Sequence, residues 1–155
     1  MTFEGRWNTL PTGRCWLRGR GRVRKFLLLA GAVVFAGCGA TVPEVPEDVP
    51  VSYSAHLESL VIAHCLGCHD SEDAKANLFL DPGEGYGQLV GRRSIQVPEM
   101  ALVEPGDPDA SYLWLKLQHR APEGKGMPRT LTGTKKLRPA ELELYRRWIE
   151  EGAKP

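Results

Sequence analysis

The run Cys65-Leu66-Gly67-Cys68-His69 constrains this chain more than any other feature. Two thiols three positions apart, with an imidazole directly after the second, form the C-x-x-C-H pattern by which a haem is attached. The spacing has a physical basis. Both thiols reach the vinyl groups on one edge of a porphyrin and become thioethers, and the imidazole that follows lies under the ring with Nε2 aimed at iron. Three other chemistries compete for the pair. A structural zinc site needs four ligands, but no Cys lies beyond Cys68, and His56, His64 and His119 supply only a ragged complement. A thioredoxin-like dithiol sits in a βαβ context, and no such alternation is visible. A Cys65–Cys68 disulfide in an exported chain is the strongest alternative.

Export is read from the front of the chain. Residues 1–37 hold seven Lys and Arg and one acid, Glu4, and the basic stretch runs into an apolar segment over 26–36. Eleven residues rising 1.5 Å each span roughly 17 Å, short of the ~30 Å hydrocarbon core, so the segment reads as a secretory signal peptide and not as a membrane span. Residues 1–22 read as an over-long start, with Val23 as the alternative initiator. The segment ends at Phe35-Ala36-Gly37-Cys38, which resembles a bacterial lipobox. The resemblance implies that Cys38 is lipidated and becomes the mature N-terminus. With no Asp after Cys38, it also implies sorting to the outer membrane. Ordinary cleavage after Ala40 is the alternative.

Residues 38–52 are expected to be the anchor and a tether. Pro43, Pro46 and Pro50 with three acids exclude helix, and an extended, polyproline-like run over 41–52 reaches about 37 Å at ~3.1 Å per residue. The domain proper is placed at 53–155. From residue 38 onward there are 13 Lys and Arg against 18 Asp and Glu, a net of −5, which argues against nucleic acid as a partner. The 17 Gly and 12 Pro predict short elements joined by many turns.

Periodicity predicts a helix over 54–65, with Ser54 as N-cap and Leu57, Leu60, Val61 and Cys65 on one face. His64 reads as a half-exposed helix residue. A helical turn is expected at 85–90, after a turn at Asp81-Pro82-Gly83. Asp107 as N-cap and Pro108 at the first helical position open a further helix that carries Leu113, Trp114 and Leu117 to Gln118 or His119. A last helix runs from Pro139 to a terminal Gly152, with Trp148 as a packing residue. Between these two lies the Gly- and Pro-rich loop 121–128, containing Met127-Pro128. A Met thioether is the usual sixth ligand where haem carries electrons. Met127, 58 residues after His69, is the preferred ligand, with Met100 and His119 as rivals.

The C-x-x-C-H motif, Leu80-Asp81, the run Pro105-Gly106-Asp107-Pro108 with Ser111-Tyr112-Leu113-Trp114 and Lys116-Leu117, Met127-Pro128, and Trp148-Ile149-Glu150-Glu151-Gly152-Ala153 together resemble small exported bacterial cytochrome c domains. These are the Planctomycete-type and related families, and the resemblance covers about residues 52–153. Arg138 departs from the pattern, standing where Ser or Thr usually caps the last helix. The resemblance implies an all-α, class I cytochrome c-like fold, with three to five short helices and long loops around one covalently bound haem c, and Met127 on the distal side. The expected function is a monohaem electron carrier, not an enzyme, with His69 and Met127 as axial ligands. It is expected to be lipid-anchored outside the cytoplasm, in the periplasm or at the outer membrane or cell surface, and to meet a redox partner protein there. Without lipid on Cys38 it is soluble in the periplasm or secreted. Two alternatives stay open: a peroxidase-like or gas-binding haem enzyme with an open distal side, and an accessory haem module of a larger surface complex.

Overall fold

A run of apolar side chains at helical spacing is stable only when its face is covered, and in this chain the two longest such runs cover each other. The computed structural model describes residues 42–155. The chain divides into Met1–Cys38 and Gly39–Pro155. The leader, Cys15 and the expected lipidation residue Cys38 lie outside the described residues.

The first run begins with a π-helical turn, Tyr53–Leu57, that continues into helix α1, Glu58–His64. Leu57, Leu60 and Val61 are buried, as their spacing predicts. The start differs from expectation: Ser52, not Ser54, occupies the N-cap position, and it uses no side-chain bond. Its backbone N–H instead donates to Nδ1 of His56 at 2.9 Å, so the imidazole one turn on does the capping. The second run is α4, Pro139–Glu150, which buries Leu144, Tyr145, Trp148 and Ile149. Trp148 is fully buried, its ring centroid 5.7 Å from that of Tyr53, and its Nε1–H donates to the Lys154 carbonyl at 2.7 Å. That carbonyl also accepts the Tyr53 N–H at 2.9 Å, joining the C-terminal residues to the start of the first run.

Two short helices lie between these runs, α2 at Gly85–Leu89 and α3 at Tyr112–Leu117. Helix α3 opens later than Asp107-Pro108 predicts. Asp107 Oδ1 accepts the Ala110 N–H and the Pro108 carbonyl accepts the Ser111 N–H, so these residues close a separate turn ahead of a helix whose N-cap position is Ser111. The expectation of an all-α fold needs a further correction. Strands β1, Arg129–Thr130, and β2, Gly133–Thr134, form a two-residue antiparallel hairpin after Met127. The tether expectation changes as well. Val51 is fully buried, and Val42 and Val45 pack against the core. The Arg147 guanidinium donates to the carbonyls of Val45, Pro46 and Val49 at 2.9, 3.2 and 3.1 Å. Prolines exclude helix, but the valines between them supply apolar surface that α4 covers. Among the described residues no helix is long and apolar enough to cross a membrane.

Arg138 precedes Pro139 without a capping hydroxyl, and Glu141 supplies the missing function. Its carboxylate accepts the Arg138 N–H at 2.7 Å and the Arg138 guanidinium at 2.8 Å. His64 Nε2 of α1 lies 3.1 Å from the same carboxylate, tying the two principal helices together. Burial pushes the Glu141 carboxyl up, but the bonds from Arg138 and His64 outweigh it and hold the group at about 2, below its ordinary 4.5. A depressed carboxyl stabilises the fold above its unfolded value and loses that contribution as pH falls through the folded one. The contribution is on the order of 2 kcal/mol, reduced from the full shift because the Arg138 side chain is half exposed. Glu141→Gln should therefore be less stable than wild type at pH 7. In unfolding measured from pH 7 to pH 2, the difference should close between about pH 4.5 and pH 2.

Candidate functional site

Helix α1 ends at His64, and the chain tightens into a 3-10 turn, Leu66–Cys68. The Cys65 carbonyl accepts the N–H groups of Cys68 and His69, each at 3.1 Å. Positions 65, 68 and 69 stand at i, i+3 and i+4, which share one face of a helical turn. All three line one cavity of about 790 Å³. Cys65 is half-buried, Cys68 exposed, and the two are not joined to each other. Burial first, and the neighbouring Cys68 second, push the Cys65 thiol up to about 12, so it is protonated at neutral pH.

His69 is buried and held at two points by the segment that follows it. Its Nδ1–H donates to the Leu78 carbonyl at 3.2 Å, and its own carbonyl accepts the Leu80 N–H at 2.6 Å. The first bond places the proton on Nδ1 and leaves Nε2 with a lone pair, the tautomer a metal-ligating imidazole requires.

Helix α3 and the loop after it form another wall, and Met127 lines the cavity there. The Met127 N–H donates to the Lys116 carbonyl at 2.9 Å, and the Met127 carbonyl accepts from His119 Nε2–H at 3.1 Å. Tyr112 Oη–H donates to the Glu123 carbonyl at 2.7 Å, and Lys116 Nζ donates to the carbonyls of Glu123 and Lys125 at 2.7 and 3.2 Å. Residues 112, 116 and 119 stand at i, i+4 and i+7, so one face of α3 and its exit grips the alternate carbonyls 123, 125 and 127. Lys116 is buried over the Tyr112 ring, and desolvation lowers its ammonium from the ordinary value against the pull of Glu123.

The structure thus brings Cys65, Cys68, His69 and Met127 to one cavity. Neither Met100 nor His119 is among its lining residues. The N–H and C=O of Met100 bond within the 94–100 turn, and His119 is turned onto the Met127 carbonyl. His64 also borders the cavity, as does buried Tyr145 of α4. Tyr145, the Leu78 carbonyl and the α3 grip were not foreseen from sequence. The i, i+4, i+7 spacing of Tyr112, Lys116 and His119 was available as a signal for the last, whereas a backbone carbonyl leaves none.

The residues fit a haem. The volume falls in the usual range of cofactor sites, about 300–1,000 Å³. The walls are largely aliphatic, with two unjoined thiols and one correctly protonated imidazole brought together. Among the described residues no group of three or more His, Cys, Asp or Glu is gathered as for a metal ion held by side chains alone. Residues 65–129 match the family model described as Planctomycete cytochrome C. No curated protein and no solved structure matched the chain. The matched stretch runs from the first motif cysteine to Arg129 and includes Met127.

Close approach tests the α3 grip. A Cβ on Gly126 would lie 2.5 Å from His119 Cγ. Gly126→Ala should cost on the order of 1–3 kcal/mol, and His119→Ala in the same chain should restore most of it. A double-mutant cycle of unfolding free energies measures the coupling, and additive costs would show that the two residues do not touch.

Proposed function

We propose that this chain, whose residues 65–129 match a cytochrome c family model, is a monohaem c-type cytochrome that carries electrons outside the cytoplasm. When bound, the haem supplies one-electron exchange between Fe(II) and Fe(III). Cys65 and Cys68 would hold it covalently, and His69 would offer its Nε2 lone pair to the iron. Met127 would supply a second ligand to the iron, and a thioether in that role favours Fe(II) and raises the potential. The carrying observation is the His69 Nδ1–H bond to the Leu78 carbonyl, which fixes tautomer and ring orientation together. The grip of Tyr112, Lys116 and His119 on the loop supports a carrier over an enzyme. A sixth ligand held through its own N–H and C=O does not swing aside to admit substrate.

Protein matured with a haem-attachment system should carry the mass of one haem through denaturation and give a low-spin spectrum, with the weak near-infrared sulfur-to-iron band when oxidised. Met127→Ala should lose that band, lower the potential and admit carbon monoxide. A bare polypeptide mass would end the cytochrome reading. A wild type that takes up carbon monoxide rapidly would instead point to an open distal side and an enzyme.

We also propose that Cys38 is the lipid-bearing N-terminus of the mature protein, since it follows a short apolar segment and stands before the domain. Labelled palmitate should enter wild type and not Cys38→Ala. An unlipidated mature protein beginning at Thr41 would make it a soluble exported one.

A further inference from the structure

A buried phenol needs an acceptor for its hydrogen, and a core that leaves it without one is destabilised. Tyr145, in the middle of α4, is 2% exposed and lines the cavity. Its hydroxyl makes no hydrogen bond among the described residues. The polar groups on its own helix face are already in use. Glu141, one turn earlier at i−4, takes His64 and the Arg138 guanidinium on one carboxylate oxygen and the Arg138 N–H on the other. Trp148 Nε1–H is a donor, and it is spent on the Lys154 carbonyl. The cavity is therefore the open space that the Tyr145 hydroxyl meets.

The helix pairing says what faces it there. Glu141 and Tyr145 share a face of α4, and Glu141 reaches His64, the last residue of α1. The residue after His64 is Cys65, which lines the same cavity. After burial, Cys65 is also the strongest influence on the Tyr145 phenol, ahead of Tyr53 and Glu141. Together they push the phenol well above its ordinary 10, so it stays a protonated donor. A free Cys65 thiol can donate or accept. Once the sulfur is a thioether it has no hydrogen to give and can only accept.

We propose that Tyr145 is a positioning residue for the haem, its Oη–H donating to the sulfur that Cys65 contributes to the thioether link. The proposal rests on the cytochrome reading above. A hydrogen bond at that sulfur draws electron density from the ring edge and favours Fe(II), one of the ways in which outer hydrogen bonds set a haem potential. It also gives the two thioether links different roles. The half-buried Cys65 link is held by α4, whereas Cys68 is exposed.

The test uses the full haem-loaded protein and Tyr145→Phe, which removes only the hydroxyl. Titrated against a mediator of fixed potential, the Phe variant should have a reduction equilibrium constant about threefold lower, with the low-spin spectrum unchanged. Cys65→Ala, attached through Cys68 alone, removes the acceptor. In that background Tyr145→Phe should leave the reduction equilibrium where it is. In proton NMR of the reduced wild type, the Tyr145 hydroxyl should give a slowly exchanging resonance with a cross-peak to the thioether methyl at Cys65. That measurement decides on wild type alone should Cys65→Ala fail to take up haem. A wild-type equilibrium that Tyr145→Phe does not move, or moves equally with and without Cys65, would overturn the hydrogen bond while leaving the cytochrome reading intact. So would a hydroxyl that exchanges freely and shows no contact with that methyl. A polypeptide that takes up no haem removes the cytochrome reading, and the proposal with it.

Discussion

Two hydrogen bonds on His69 hold the site in the form its chemistry needs. One runs from Nδ1 to the Leu78 carbonyl, the other from the Leu80 N–H to the His69 carbonyl. Each is worth only about 1 kcal/mol net. Together they select one tautomer and one ring plane for an imidazole that otherwise rotates on a loop. To supply them the chain must return within eleven residues, and the return is costly. Ala76 and Asn77 stand at φ 57° and 54°, the left-handed region, where a residue with a Cβ is strained by roughly 1–2 kcal/mol. Asn tolerates this better than Ala does. Asp70 eases the reversal by accepting the N–H groups of Glu72 and Asp73, and Leu80, buried at its end, adds the hydrophobic term that holds it closed.

Across the cavity the same device recurs with different parts. Met127 has no branched stem to fix its sulfur, so the backbone on either side of it must be fixed instead, and α3 does this through its carbonyl, an ammonium, a phenol and an imidazole. Burying the Lys116 ammonium carries a desolvation cost, which the two carbonyls and the Tyr112 face reduce. Both axial candidates are thus oriented by backbone groups that side-chain identity does not reveal.

That explains which parts of the molecule were legible in the sequence. The buried face Leu57-Leu60-Val61 follows from side-chain periodicity, and the last helix opens at Pro139 and packs Trp148 inward, as expected. The start of α3 was misplaced because Asp107-Pro108 is an equally good opening for a closed turn, and only the Ser111 hydroxyl, bonded to the Glu104 and Asp107 carbonyls, marks the real boundary. Two-residue strands after Met127 carry no periodicity to read. The Leu78 carbonyl was invisible for the reason already given.

Helix α4 has a wider reach than its apolar stripe implies. Its first turn holds α1 through Glu141 and His64, its middle supplies Tyr145 to the cavity, and its last turns fasten the residues before the domain through Arg147 and through Glu151, which accepts the Val51 N–H at 2.6 Å. This last contact changes what a lipid on Cys38 would mean. A run that was unattached from 41 to 52 would let the domain range about 37 Å from its anchor. With Val42 and Val45 packed on the core, only four residue steps separate Cys38 from the fastened chain, at most about 14 Å when fully extended.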